Sequence, residues 1–407
     1  MSIMRTKHES VVAIAVVFVV LTAASTYLRA DTGTCGGASI TLPFTDVPST
    51  NIFFCSIAEA YISGLTNGFT STTYNPSANV PREQMAAFIT RTMDQSLRRG
   101  SRRAALNQFW TPASNAIPLT FFGGAGPVRQ VQSDGADMWV AGFGESKVYR
   151  VRSSDGQYLA NWTGATNAFG VLVARGLVYV TGRMSPHGSL YSLEPSLTPT
   201  SVTTVTSNLG SNSAGIAFDG TRIWTANSAT GPGTGSVAFY SFNTLTPTTI
   251  STGFSQPLGI LYDGANIWVT DIGDGTLKKL DSSGGVIQTV SLGGAPQYPV
   301  FDGANIWVPN VISDTVAVVR AGGALAGTVL ATLSGNGLSS PRSAAFDGER
   351  ILVTNGGGNL SLWNATDLTQ IGFVLSEASP DLFGACSDGM NFGIALTTLG
   401  NPCLARF

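Results

Sequence analysis

At 407 residues the chain is long enough for two domains, and only 11% of it is charged, with a formal net charge of −2. So sparse and balanced a charge gives no electrostatic basis for binding nucleic acid. The 48 glycines, with Ser, Thr and Asn in the polar positions, suit turns and strands better than helices, so the main body is expected to be all-β.

Residues 1–30 read as a secretory signal: Arg5 and Lys7 supply a positive start, and Val11 to Ala24 is an apolar run of about 14 residues, short for a membrane span. Cleavage could follow Ala24 or Ala30, and an uncleaved anchor is the alternative. Either way the bulk of the chain is expected outside the cytoplasm. Four cysteines, Cys35, Cys55, Cys386 and Cys403, fit an oxidising compartment. Their clustering into two early and two late favours Cys35 with Cys55 and Cys386 with Cys403, and no Cys or His spacing suggests a metal site.

Residues 31–97 form the first predicted domain. Ile57, Ala58, Tyr61 and Ile62 recur at helical spacing, as do Met85, Phe88, Ile89 and Met93, and Pro81 suits the first turn of the second helix. The expected product is a small helical hairpin with a loop from Gly68 to Val80. The motifs Phe44-Thr45-Asp46-Val47-Pro48, Gly64-Leu65-Thr66-Asn67-Gly68, Tyr74-Asn75-Pro76 and Arg82-Glu83-Gln84-Met85-Ala86 give this stretch its resemblance to a surface-layer homology (SLH) domain. Phe53 or Phe54 stands where that family usually carries Trp. The resemblance implies a module that holds secreted proteins on the cell surface by gripping wall polysaccharide with anionic sugars. It implies a ligand-binding role for Arg82 and Gly68, since a guanidinium bonds a carboxylate bidentately. Alternatively Arg82 pairs with a local carboxylate and Gly68 serves only the turn.

Residues 98–110 are a basic helical linker, with Arg98, Arg99, Arg102 and Arg103 around Gly100. They could contact anionic glycan or lipid, or simply offset a helix C-terminus.

From residue 111 onward one phrase recurs. Asp-Gly opens SDGADMWV at Asp134, FDGTRIWT at Asp219, YDGANIWV at Asp263, FDGANIWV at Asp302, FDGERILV at Asp347 and SDGMNFGI at Asp388, with a degenerate copy around Gly176. The glycines at 135, 176, 220, 264, 303, 348 and 389 are 41, 44, 44, 39, 45 and 41 residues apart, the period of a four-stranded propeller blade. Asp-Gly suits a tight hairpin, and the aromatic and β-branched residues behind it suit a half-buried strand. The fold class is therefore mainly β, a seven-bladed β-propeller over residues 111–407 behind a small α-helical domain. The last repeat has room for three strands only, so Ala116 to Phe122 is expected to supply its outer strand and close the ring. The recurring (F/Y)DGxxIWVT(N/D) resembles the YVTN family of propellers and, more distantly, virginiamycin B lyase and NHL-type propellers.

Candidate chemistry in the propeller is thin. His187, in a Gly- and Pro-rich loop, is the one histidine beyond the leader, and the lyase resemblance would ask it for catalysis with a metal and an acidic partner. A second recurrent position is polar: Asn227, Asp271, Asn310 and Asn355 end the second strands and could form a rim that binds a glycan, a peptide or Ca2+. The bland alternative is that Asn and Asp simply favour turns. The leading expectation is a secreted cell-envelope protein with no required cofactor. Its SLH module would hold cell-wall or surface polysaccharide, and its propeller would be a non-enzymatic scaffold for ligands or surface proteins. The alternatives are a propeller lyase or lactonase and a structural subunit of a surface layer or appendage.

Overall fold

The computed structural model describes residues 31–35, 38–62, 66, 68–82, 84–89, 119–124, 126–242, 246–375, 381–398 and 401–407. The expectations for the leader of residues 1–30, the basic linker of residues 98–110 and the run 116–118 lie outside these residues. Chain contacts divide the protein into two units, Met1–Arg99 and Gly100–Phe407.

The first unit carries a β-hairpin, Thr32–Cys35 paired with Ala38–Thr41, then a helix, α1 (Phe54–Ile62), and a second helical stretch over 84–89. The Asn51 side chain accepts the Phe53 N–H at 2.8 Å and so satisfies a donor at the start of α1. One face of α1, Phe54, Ile57 and Ala58, packs on Leu42, Phe44 and Val47 as a small core, and the Cys35–Cys55 disulfide ties the hairpin to the helix. Of the two candidate aromatics, Phe54 is the buried one and Phe53 is exposed. The Asp46 carboxylate accepts the N–H groups of Tyr74 and Asn75, fastening the 68–80 loop. The helical periodicity of Met85 and Ile89 predicts core positions, yet both are exposed. The hairpin escapes helix-period reading because its strands are four residues each and rich in Thr and Ser.

The second unit is seven four-stranded antiparallel sheets in chain order, each one repeat. Their inner strands are Val128–Ser133, Ala168–Ala174, Ser213–Phe218, Pro257–Tyr262, Val300–Phe301, Pro341–Phe346 and Asp381–Ser387, in blades 1 to 7. The blade 5 strand is short because Pro296 and Pro299 lack the N–H that a ladder needs. The last sheet takes its fourth strand from Leu119–Phe121, paired antiparallel with Asn401–Arg406. Leu119 and Phe121 are largely exposed, whereas Phe122 turns inward and stacks on Tyr149 with centroids 4.3 Å apart.

The Asp-Gly phrase does more than turn the chain. Its glycines adopt positive φ, 94° at Gly264 and 97° at Gly303, where a Cβ would meet no atom, so backbone conformation alone demands glycine. Asp263 accepts the N–H groups of Ala265 and Asn266 and the Trp268 indole N–H, at 2.8, 2.6 and 2.7 Å. Asp134, Asp219 and Asp302 hold Trp139, Trp224 and Trp307 in the same way. The acid thus supplies the acceptor that lets a fully buried Trp fill the space between blades. In blade 6 the fifth residue after Asp347 is Leu352, and Arg350 bonds the carboxylate instead at 2.7 Å.

Candidate functional site

The inner strands surround a cavity of about 240 Å³ lined by residues of all seven blades, among them Gln130, Gly170, Gly215, Ile260, Pro299, Ser343 and Ala385. Blades meet closely here. A Cβ at Gly215 would lie 2.5 Å from the Leu258 carbonyl oxygen, and one at Gly384 would lie 2.6 Å from that of Arg129. The motif threonine links the blades. Thr270 Oγ1 accepts the Gly259 N–H and donates to the Gln297 carbonyl, and Thr354 likewise joins Ser343 to Phe383.

One residue before these close approaches, each inner strand or its lead-in places one side chain around the mouth of the channel. The set is Arg129, Phe169, Ala214, Leu258, Tyr298, Arg342 and Phe383. Phe169, Ala214, Leu258 and Tyr298 form a buried cluster, with Phe143, Ile272 and Phe383 packed on it. The Phe169 and Phe383 rings meet edge to face at 5.5 Å, and Phe383 lies 5.7 Å from Tyr298. Over this aromatic floor sit three guanidiniums: Arg129 lies 4.8 Å from the Phe383 ring, Arg342 5.5 Å from the same ring, and Arg183 4.9 Å from Phe169. Asp381 bonds Arg342 at 2.5 Å and stands 3.8 Å from Arg129.

The resulting recess is about 440 Å³, with Leu258, Ile272 and Val311 as apolar lining residues beside the three arginines and Asp381. Burial pulls the Arg129 guanidinium below its ordinary value; Asp381 opposes that, while Arg342 and Arg183 add like-charge repulsion. Burial pushes the Tyr298 phenol up, against the pull of the three guanidiniums. Chemically, the mouth is a cationic, partly apolar recess suited to holding an anion.

The residues expected to form a polar rim are not open to a ligand. Asn227, Asp271, Asn310 and Asn355 are fully buried at the ends of the second strands. Asn227 bonds Ser213 and Ser236. Asn355 bonds Ser361 and the Ser339 N–H. Asp271 accepts the Ser255 and Gln256 N–H groups and the Lys278 ammonium, the last at 2.7 Å with both partners buried. Asn310 finds no partner for either amide atom. Asn227, Asp271 and Asn355 are thus taken up by partners within their own blades, and among the described residues no group of three or more His, Cys, Asp or Glu could hold a metal ion.

His187 lies on an exposed loop and does not line the channel or its mouth. The expected Cys386–Cys403 bridge does not form; both thiols are buried and not disulfide-bonded. Cys386 pairs with Gly393 and Cys403 with Leu396 across the intervening strand, an odd offset that turns the two side chains to opposite faces of the sheet.

In the first unit, a recess of about 520 Å³ is lined by Thr66, Gly68, Phe69, Tyr74, Asn75 and Phe88, among others. Gly68 has φ +80°, and a Cβ there would collide with the Phe44 ring, so the fold alone demands glycine. Arg82 is exposed at the start of the second helical stretch, with no ion pair among the described residues, and does not line the recess.

The arginines of the propeller mouth escaped the sequence reading. For two of them the signal is positional: Arg129 and Arg342, like Ala214, Leu258 and Phe383, each stand five residues before the aspartate of their turn. Tyr298 stands four before Asp302, the turn after Phe169 has no aspartate, and Arg183 lies outside the pattern.

No curated protein matches the chain in sequence. Among solved structures, the WD40 β-propeller domain of Doa1 is similar at 12% identity, with a TM-score of 0.58, covering 72% of this chain and 95% of that one. A streptogramin B lyase is similar at 14% identity, with a TM-score of 0.58, covering 72% of this chain and 97% of that one. These likenesses concern the fold. Residues 43–86 match the family described as the S-layer homology domain. The chain therefore carries an S-layer homology domain, which places it at the cell envelope, ahead of a seven-bladed β-propeller.

Proposed function

We propose that the chain is an exported protein whose SLH domain grips cell-wall or surface polysaccharide and whose propeller is a non-enzymatic binding scaffold. The observation that carries this reading is the SLH match over residues 43–86, the one part of the chain with a functional address. Arg82 supports it as an exposed guanidinium free of ion pairs among the described residues, available to an anionic sugar. The propeller mouth, with three arginines and one carboxylate, supports binding rather than chemistry. A lyase or lactonase reading would call for His187 or at least two acids at that mouth; the described residues put one acid there and leave His187 on an exposed loop.

The test is co-sedimentation of the full chain with purified wall material, together with cell fractionation. We expect the chain in the envelope fraction and on the polysaccharide, and Arg82→Gln to weaken sedimentation about tenfold, the worth of a charge-assisted contact. Recovery of the full-length protein in the cytosol, or sedimentation untouched by the substitution at every salt concentration, overturns the reading.

A further inference from the structure

The channel mouth gathers more positive charge than it neutralises. Asp381 is the one carboxylate among its described lining residues, and it is already shared between Arg342 and Arg129. Arg183 has no acid within ion-pair distance among the described residues; it lies over Phe169, which steadies its guanidinium at the edge of the recess. A second observation is independent of charge. Tyr298 is only 7% exposed, lines both the channel and its mouth, and its hydroxyl has no hydrogen-bond partner. A buried donor left unsatisfied beside unspent cations is a cost that a bound acceptor would relieve.

The ligand class follows from the walls. A guanidinium fork matches an oxyanion head, and the Tyr298 hydroxyl offers one further donor. Leu258, Ile272 and Val311 give an apolar wall that a bare inorganic anion would leave unused. The recess, about 440 Å³, falls in the usual small-molecule range of roughly 300–1,000 Å³. We propose that the propeller mouth binds a small organic carboxylate, its head held by Arg183, Arg342 and Tyr298 and its apolar body laid on Leu258, Ile272 and Val311. The proposal rests on the reading of the propeller as a binding scaffold and names its ligand class.

The test is calorimetric titration of the full chain with three probes: phenylacetate, its neutral counterpart phenylacetamide, and inorganic phosphate. We expect phenylacetate to bind once per chain, and the amide to bind about tenfold more weakly or less, the worth of the charged contact. Arg183→Gln should weaken phenylacetate about tenfold. Tyr298→Phe, which removes only the unpartnered hydroxyl, should weaken it several-fold while the melting temperature stays level or rises. Arg82→Gln should leave this affinity unchanged, so failure of wall attachment and failure of the mouth are read separately. The proposal falls if phenylacetate does not bind, if phosphate or the amide binds as tightly, or if Arg183→Gln and Tyr298→Phe both leave the affinity unchanged.

Discussion

Each aspartate of the Asp-Gly turns in blades 1, 3, 4 and 5 serves at least three donors at once, among them two backbone N–H groups and a buried indole, so its loss strands them all. Leaving such donors unsatisfied costs about 1–3 kcal/mol apiece when they are buried. Asp263→Ala should therefore lower unfolding stability by about 3 kcal/mol, and Trp268→Phe, which leaves the turn intact, should cost less; denaturant unfolding of the two variants checks the order. The same chemistry sets an acid response. Burial alone would raise the Asp219 carboxyl, but donation from Trp224, Thr221 and Arg222 outweighs it and lowers the pKa from 3.8 to about 2. A depressed folded-state value stabilises above the unfolded one, so the contribution is whole above about pH 4 and disappears as the pH falls toward 2. In Asp219→Asn, melting temperatures followed from pH 5 to pH 2 should fall less steeply than in the parent chain.

At the scale of elements, closure of the ring depends on which side chains the last strand buries. Phe122 stacks on Tyr149, whereas Phe121 is 54% exposed. Phe122→Ala should cost about 2–3 kcal/mol, and Phe121→Ser less than about 1, by denaturant unfolding. The blades were legible because each repeat solves one local problem, a hairpin with a buried tryptophan, using the same residues every time. The closing strand was legible as an orphan run, but not its facing, since Leu119, Phe121 and Phe122 are equally apolar on paper. The binding face was not legible for the opposite reason. Arg129, Arg183 and Arg342 come from three different blades: the positions of Arg129 and Arg342 are filled elsewhere by Ala, Leu, Phe or Tyr, and Arg183 follows a second strand where other blades have Phe143, Ser228, Ile272, Val311 or Gly356, so no repeat announces them. The Asn and Asp strand ends did repeat and drew attention, but Asn227 and Asn355 are taken up by buried serine hydroxyls of neighbouring strands in their own blades. The late cysteines, near in sequence, are divided by the pleat of the strand between them.

For the whole molecule, the placement of sulfur separates the two units. The Cys35–Cys55 bridge lies in the first unit, and its 20-residue separation corresponds to about 3 kcal/mol of loop entropy. Cys386 and Cys403 are buried, unbridged thiols in the second, and burial pushes the Cys386 thiol up, with Asp388 adding to it. Differential scanning calorimetry with and without reductant should show one transition moving and the propeller's staying in place. A thiol reagent should find both unbridged cysteines only after the propeller unfolds.

The strand that shuts the ring has a mechanical meaning as well. If the SLH domain is held on the wall while something tugs at the propeller, the load travels along the chain, and the first described strand of the propeller that it reaches is Leu119–Phe121, three residues on the outside of the last sheet. Its neighbour Asn401–Arg406 is gripped on the other side by a ladder of six pairs. The fold thus places a short seam where tension enters, so a steady pull would part the ring at blade 7 before it disturbed the arginines at the centre.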